Sequence, residues 1–353
     1  MIDSKYNKKH PFISIIIPTR NEEYHLERCL GSLVSNDYPK SRQELFIVDG
    51  GSSDNTINIS KKYKTKFPFF QILANKKKIF PAAINLGIRE SKGEIIIVLG
   101  AHATYNKNYI SNCVKYSLLY EVDNVGGYIK TIWPGNTSII GDNIILALSS
   151  PFGVGGSTFR SKNSKSETVY VDTVFGGCYK KSIFKEIGLF NENFIFSSDI
   201  EFNYRLRKNG GKILFVPTIE SSYYYSKSRI KFLAFMKHNL RNGYWSIYPL
   251  QFIKYNPFSL RHYIPLLFVL GLFSTLLLSL MFHAIFYAHV GILLSYFIVN
   301  GIFTWLAHPK KLSYYLILPF IFFSIHLSYG ISSLWGLITI IAKKLLIQPQ
   351  NGK

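Results

Sequence analysis

The chain has 353 residues, 41 Lys and Arg against 20 Asp and Glu, a formal net charge of +21, and a composition that is 48% hydrophobic and 16% aromatic. That length suits one large α/β domain or two smaller ones. Cys29, Cys113 and Cys178 are too few and too far apart for a disulfide framework or a Cys-x-x-Cys zinc site. The charge is not a nucleic-acid signature, because it is unevenly placed: Glu220 is the last acid, and residues 221–353 hold 12 Lys and Arg with no Asp or Glu. Any catalytic carboxylate or carboxylate metal ligand must therefore precede Ser221.

The start is charged and has no adequate apolar stretch before Pro11, so no secretion signal is expected. In chain order, apolar runs rich in Ile, Val and Phe at residues 12–17, 45–48, 69–73 and 95–99 predict strands, with helices between them at residues such as 22–35 and 81–90. Alternation of this kind implies an α/β fold with a mainly parallel sheet covered on both faces, and such sheets bind ligands beyond their C-terminal strand ends.

The first predicted strand ends Ile17-Pro18-Thr19-Arg20-Asn21-Glu22-Glu23. No Gly-x-Gly-x-x-Gly follows it, which argues against a dinucleotide-binding domain. The glycine-rich Pro151-Phe152-Gly153-Val154-Gly155-Gly156-Ser157 lacks the Gly-Lys-Ser/Thr of a P-loop. The second strand ends Ile47-Val48-Asp49-Gly50-Gly51-Ser52-Ser53-Asp54-Asn55-Thr56. Glycines there let the backbone approach a ligand closely, and Asp49 and Asp54 can accept hydrogen bonds from a base or ribose. The same string also makes a glycine turn with a capped helix.

Residues 226–248 set Lys227, Arg229, Lys231, Lys237 and Arg241 among apolar side chains at helical spacing, the pattern of a helix at a lipid headgroup surface or of a core-packed helix with solvated lysines. Residues 263–282, 285–307 and 313–335 are uncharged apolar segments long enough to span a bilayer. The division expected is a catalytic domain at 1–222, a basic interface region at 223–262 and about three transmembrane helices at 263–342. Lys254, Arg261, Lys310 and Lys311 agree with a cytosolic catalytic domain. Lys343 and Lys344 do not, since three crossings put them outside; either the third segment re-enters or the positive-inside bias is broken there.

Together, Ile13-Ser14-Ile15-Ile16-Ile17-Pro18-Thr19-Arg20-Asn21-Glu22-Glu23 and Leu45-Phe46-Ile47-Val48-Asp49-Gly50-Gly51-Ser52-Ser53-Asp54-Asn55-Thr56 resemble the inverting family-2 glycosyltransferases, which have a GT-A fold and use nucleotide sugars. Four further stretches are similar to the succinoglycan-type ExoA-like subgroup: Pro81-Ala82-Ala83-Ile84-Asn85-Leu86-Gly87-Ile88, Gly100-Ala101-His102-Ala103-Thr104-Tyr105, Phe175-Gly176-Gly177-Cys178-Tyr179, and the run from Ser198-Asp199-Ile200-Glu201 to Arg207. The glycine-rich string at 151–157 is a fifth, and the likeness runs over roughly residues 12–250.

The resemblance implies that Asp199 is the base acting on the acceptor hydroxyl. It implies that Thr19, Asn21, Glu22, Asp49, Gly51, Asp54 and Asn85 hold the nucleotide sugar, a UDP-sugar being favoured. Arg241, in a partial match to the family's Gln-x-x-Arg-Trp segment, becomes a diphosphate cation. Where relatives carry Asp-x-Asp or Asp-Ala-His for Mg²⁺ or Mn²⁺, this chain has Gly100-Ala101-His102. Three readings follow: a metal held by His102 and the diphosphate, a metal-independent enzyme, or a silent nucleotide-sugar-binding membrane protein. Gly100 is also compatible with a φ > 0 turn that excludes a side chain. The function expected is hexose transfer to a lipid-linked saccharide at the plasma membrane, in surface polysaccharide or glycoconjugate synthesis, with transfer to polyprenyl phosphate as the alternative and no role for nucleic acid.

Overall fold

A computed structural model describes residues 10–155, 167–309 and 311–347, the last without its side chain. The charged start, Gly156 and Ser157 of the glycine-rich string, and the flanking Lys310 lie outside the described residues. The chain divides into two compact units, Met1–Ile132 with Thr158–Tyr225, and Trp133–Ser157 with Ser226–Lys353.

The first unit is built on a nine-stranded sheet ordered β3-β2-β1-β4-β8-β6-β9-β5, with β7 on β9. The predicted strands appear as β1 (Ile13–Thr19), β2 (Gln43–Asp49), β3 (Phe69–Ala74) and β4 (Ile95–Val98), all parallel. The remainder are β5 (Ala103–Tyr105), β6 (Asn124–Ile132), β7 (Val169–Tyr170), β8 (Cys178–Lys180) and β9 (Ile213–Tyr224). β8 runs antiparallel between β4 and β6, so the sheet is mixed.

The alternation of β1 explains its place at the centre. Ile13, Ile15 and Ile17 pack with Leu26, Leu30 and Leu33 of the helix Leu26–Val34 and with Ile110 and Val114 of Tyr109–Leu119. Ile16 points to the other face, against Ile84 and Ile88 of Phe80–Glu90 and the layer containing Phe202 and Leu206 of Ser198–Lys208. Each such side chain contributes about 1.5–3 kcal/mol on burial, and with β1, β2 and β4 buried the parallel half is open along its edge strand β3 and at its strand ends.

Two devices hold the antiparallel insertion. Gly176 and Gly177 have φ of +76° and +91°, and a Cβ on Gly177 would stand 2.4 Å from the Tyr179 ring. This tight turn lets Gly177 O accept from Val98 N at 3.0 Å, joining β8 to the end of β4. On Ser198–Lys208, the fully buried Glu201 pairs with Arg205, whose Nη2 also donates to Leu189 O at 2.8 Å. Glu201 is thereby fixed in the scaffold, leaving Asp199 as the carboxylate of that first helical turn with access to solvent.

The second unit is helical: Ile139–Ser149, Pro151–Val154, Phe232–Ile247, Ile264–Ser279, His283–Leu306 and Tyr314–Ile347. Residues 133–157, expected within the catalytic domain, belong here because Ile139–Ser149 is apolar and packs on Tyr314–Ile347, where Tyr314 Oη donates to Asp142. Phe152 stacks on Phe303 at 4.8 Å, and its carbonyl lies 2.8 Å from His326 Nε2. The described part of the glycine-rich string is thus an anchor within this unit.

Among the described residues, two helices are long and apolar enough to cross a membrane, His283–Leu306 and Tyr314–Leu346. This corrects the expectation of three spans. The first expected span contains the helix Ile264–Ser279, whose 16 residues reach about 24 Å at 1.5 Å per residue, short of the ~30 Å hydrocarbon core. The basic helix Phe232–Ile247 buries Phe235, Asn239, Gly243, Ser246 and Ile247 along Tyr314–Ile347, with Leu233, Lys237, Leu240 and Arg241 exposed.

Candidate active site

The loops after β1 and β2 form one hydrogen-bonded body. Asp49, at the end of β2, accepts from Gly51 N and Ser52 N, each at 2.9 Å, on Oδ2, and from Ser52 Oγ and Thr19 Oγ1 on Oδ1. Gly51 permits this turn because its φ is +76°. From the other loop, Asn21 donates its amide to Ser52 Oγ and accepts from Ser53 N at 2.9 Å, Glu22 N donates to Thr56 Oγ1 at 2.7 Å, and Glu23 N donates to Asp54 Oδ2 at 3.1 Å.

Asp54 also receives the amide and hydroxyl of Thr56 at the start of Thr56–Lys62. Burial pushes its carboxyl up, but the Thr56 hydroxyl and the Thr56 and Glu23 amides outweigh this and hold it below its ordinary value. Both aspartates brace the loops: Asp49 accepts four hydrogen bonds, about the full capacity of a carboxylate, and Asp54 accepts three. Asp49→Ala is expected to weaken nucleotide binding by about 1–3 kcal/mol, the usual cost of a lost hydrogen bond to a charged group. Titration calorimetry on the folded variant checks it.

Two cations that sequence reasoning did not select lie along this glycine turn. A Cβ on Gly50 would meet Arg20 Cδ at 3.4 Å, and one on Gly51 would meet Lys78 Cε at 3.2 Å and its Nζ at 3.7 Å. Among the described residues neither Arg20 nor Lys78 has a carboxylate partner, so both are available to an anion. Lys78 follows β3 with φ of 57°, a conformation that turns it back toward the sheet edge. The signal was its position after the third predicted strand, which the Lys76-Lys77-Lys78 run disguised as a solvated cluster.

The end of β4 supplies the third part. His102 Nδ1 lies 2.9 Å from Glu22 Oε2, and the imidazole makes edge contacts with His25 at 5.1 Å and Tyr223 at 5.8 Å. Phe175 meets Tyr223 at 5.9 Å and borders Gly100. Below, Tyr105 Oη accepts from Gly100 N at 2.8 Å and donates to Gly100 O at 3.0 Å. Cys29, also against Gly100 O, is pushed up to about 12 by burial and then by the charge of Glu22, so it is a neutral packing residue.

Gly100 does not have a positive φ, and a Cβ there would find Phe175 Cζ at 3.4 Å and Tyr105 Oη at 4.0 Å, ordinary contacts. Of the two alternatives for Gly100, the conformation agrees with a backbone that tolerates a side chain. Among the described residues no three His, Cys, Asp or Glu side chains cluster as a metal site. The donor set nevertheless fits a substrate-assisted ion. Glu22 Oε2 is buried without a hydrogen-bond partner and lies 2.9 Å from His102 Nδ1, so a carboxylate oxygen and an imidazole stand together there as donors a cation could satisfy.

Asp199 opens the helix Ser198–Lys208, behind Ser197 in the left-handed region at φ 59°. Its residue surface is exposed. Burial pushes the carboxyl above its ordinary value, with the Ile200 amide and its own amide opposing.

Two expected ligands have other surroundings. Asn85 is buried, its amide donating to Phe190 O at 2.9 Å and Glu192 Oε1 at 3.1 Å while its oxygen accepts from Phe190 N, so every polar atom is engaged within the scaffold. Arg241 lies in the second unit on Phe232–Ile247, 3.2 Å from His238 Nδ1. The cations of the first unit's own strand edge are Arg20 and Lys78.

Comparison with known proteins follows this geometry. Residues 14–188 match the family described as Glycosyl transferase family 2. A dolichyl N-acetyl-alpha-D-glucosaminyl phosphate 3-beta-D-2,3-diacetamido-2,3-dideoxy-beta-D-glucuronosyltransferase of Methanococcus voltae is 35% identical over 251 residues, 67% of this chain and 76% of that protein. The succinoglycan biosynthesis protein ExoA of Rhizobium meliloti is 28% identical over 252 residues, 67% of this chain and 74% of its own length. Among solved structures, the mannosyltransferase PcManGT of Pyrobaculum calidifontis, in complex with GDP-Man and Mn²⁺, superposes with a TM-score of 0.56 at 16% identity, covering 94% of this chain and 92% of that one. The fold is GT-A, with a mixed, mostly parallel sheet.

Proposed function

The chain belongs to glycosyltransferase family 2 and is a glycosyltransferase, and from that premise we propose that it moves a hexose from a nucleoside diphosphate sugar, a UDP-sugar being favoured, to a lipid-linked saccharide in glycoconjugate or surface polysaccharide assembly. The proposed place is the plasma membrane, with the catalytic unit on the cytosolic side. The observation that carries the reading is the meeting of Asp49, Asp54 and the Gly50-Gly51 turn with Arg20 and Lys78, which have no carboxylate partner among the described residues, in a unit whose helix Ser198–Lys208 carries the exposed residue Asp199 in its first turn. The names of the Methanococcus and Rhizobium relatives support the choice of acceptor.

In this mechanism the acceptor hydroxyl gives its proton to Asp199 as its oxygen bonds to the anomeric carbon. The bond from that carbon to the diphosphate breaks on the opposite face, which inverts the configuration. Arg20 and Lys78 stabilise the charge that grows on the departing nucleoside diphosphate. A divalent ion, held by His102 and the diphosphate oxygens, would add Lewis-acid stabilisation of that charge. Glu22, with Oε2 2.9 Å from His102 Nδ1, would place a carboxylate oxygen beside that imidazole.

Transfer assays with UDP- and GDP-sugars, on a lipid-linked saccharide and on sugar-free polyprenyl phosphate, test the reading. Preferential glycosylation of the lipid-linked saccharide is expected, and product formed only on the bare phosphate overturns that acceptor. Lys78→Ala is expected to weaken donor binding roughly tenfold at low salt, one charge-assisted hydrogen bond's worth of about 1.5 kcal/mol. Loss of the difference at high salt, followed by calorimetry, identifies its origin as electrostatic.

A further inference from the structure

We propose that the second unit enters the membrane from one side only, as a helical hairpin of Ile264–Ser279 and His283–Leu306 seated in one leaflet, and that Tyr314–Ile347 does not cross. The inference goes beyond the proposed reaction and uses contacts within the second unit alone. From His262 to Pro309 there is no Lys, Arg, Asp or Glu, while Lys254 and Arg261 precede the hairpin and Lys311 follows it. Its turn, Leu280-Met281-Phe282, is wholly apolar, with Leu280 79% and Met281 75% exposed. A turn delivered to water beyond the far headgroups has no reason to be so.

The backbone of the turn is ready for hydrocarbon. Leu280 N and Met281 N donate to Leu277 O and Leu278 O at 3.2 and 3.1 Å, Phe282 N donates to Leu278 O at 2.9 Å, and Ile285 N to Phe282 O at 2.9 Å. An apolar environment tolerates a turn only when such groups are satisfied internally. Three polar side chains of the hairpin are paired, while His283 and Tyr287 beside the turn are exposed. Thr275 Oγ1 lies 3.0 Å from His289 Nδ1, Tyr296 Oη lies 2.9 Å from His326 Nδ1, and Asn300 Nδ2 donates to Pro319 O at 3.0 Å.

Measured from the Phe268–Tyr296 stack, the tip of the hairpin has the reach of one leaflet, while His283–Leu306 continues past Tyr296 with Ile298, Ile302 and Trp305 exposed on the entry side of that stack. Phe268 stacks on Tyr296 at 4.5 Å, the level at which His326 still touches it. Above Phe268 the helix climbs only about 16 Å to Ser279 at 1.5 Å per residue, against about 15 Å for half a hydrocarbon core. The long helix behaves differently. Half of the apolar window of Tyr314–Leu346 is buried in protein, against 6% for His283–Leu306.

It lies beside Phe232–Ile247 from the Phe232–Phe320 stack, through Ser333 Oγ donating to Gly243 O at 3.0 Å, to Lys343 over the Tyr248 ring at 4.9 Å. A crossing by Tyr314–Ile347 would carry the basic helix and its Lys237 and Arg241 into the bilayer alongside it. Kept on the entry side, every Lys and Arg of the described unit faces one anionic leaflet, at about 1 kcal/mol of attraction per cation near the surface. Lys343 and Lys344 then need no exception.

Labelling of the full chain in sealed membrane vesicles with a membrane-impermeant maleimide tests this, since the three native cysteines are buried. Lys254→Cys and Lys344→Cys are expected to react from the same face, and Met281→Cys from neither face until detergent is added. Reaction of Lys344→Cys from the face opposite Lys254→Cys overturns the proposal by showing a third crossing. Reaction of Met281→Cys without detergent, from either face, overturns it too. Should Met281→Cys fail to accumulate, Leu280→Cys gives the same readings. No outcome depends on glycosyl transfer, so failure here is separable from failure of the proposed reaction.

Discussion

Asp199→Asn is expected to lower transfer by about 10²–10⁴-fold, the usual contribution of a positioned general base, while donor affinity stays within a few-fold. The split follows from placement. The donor's anionic part is met by Arg20, Lys78 and the Gly50-Gly51 turn, whereas Asp199 stands at the start of Ser198–Lys208. Glu201 cannot replace it, because its carboxylate is buried against Arg205. Near-normal turnover in the variant removes Asp199 from the mechanism.

The pH profile sharpens the test. The base must be ionised, and burial raises its folded-state pKa, so kcat/KM falls as pH drops through a midpoint above the ordinary Asp value of about 3.9. Stability runs the other way. A raised folded-state pKa means that the native protein holds the proton more tightly, so this group's contribution is present at low pH and lost as pH rises through that pKa. At neutral pH the charge in the native state is a burden, and Asp199→Asn is expected to melt no lower than the parent. A variant both inactive and less stable points instead to a capping role.

The parallel half of the sheet was legible because its strands are continuous Ile, Val and Phe runs buried on both faces, ending in Pro18-Thr19 and Asp49-Gly50-Gly51. The long β9 was not, since Pro217, Thr218 and two serines break its apolar pattern where register shifts against β6. The site was legible where one strand end carries its own residues, as Asp49 does. It was illegible where separate strands converge. Phe175 before β8 and Tyr223 on β9 enclose Gly100 and His102 only because β8 inserts antiparallel beside β4. Lys78 needed two left-handed residues, itself and Gly51, to meet. In the apolar tail hydropathy reports what side chains avoid and not what they touch, so Tyr314–Leu346, half protein-covered, read the same as the largely uncovered His283–Leu306.

His102→Ala is expected to cost several kcal/mol of transition-state stabilisation, the scale of a Lewis-acid contribution, with nucleoside affinity little changed. Excess EDTA should lower the parent's activity to the level of the variant and leave the variant where it was. The reason lies in the donor set. His102 is the imidazole at this strand end, with the unpartnered Glu22 Oε2 2.9 Å from its Nδ1, and so small a donor set binds a hard divalent ion weakly without diphosphate oxygens beside it. Manganese and nucleotide should therefore bind together, each tightening the other, with negligible affinity for the ion alone. Gly100→Asp restores the carboxylate that related sequences carry, and the backbone has room for it: φ is not positive and the nearest atom to a new Cβ is Phe175 Cζ at 3.4 Å. That variant is expected to fold and to bind Mn²⁺ measurably without nucleotide, as read by the ion's electron paramagnetic resonance signal. Full activity of parent and His102→Ala in EDTA would instead assign the leaving group's stabilisation to Arg20 and Lys78 alone. The doubly substituted Arg20→Ala, Lys78→Ala chain should then lose transfer in the absence of metal.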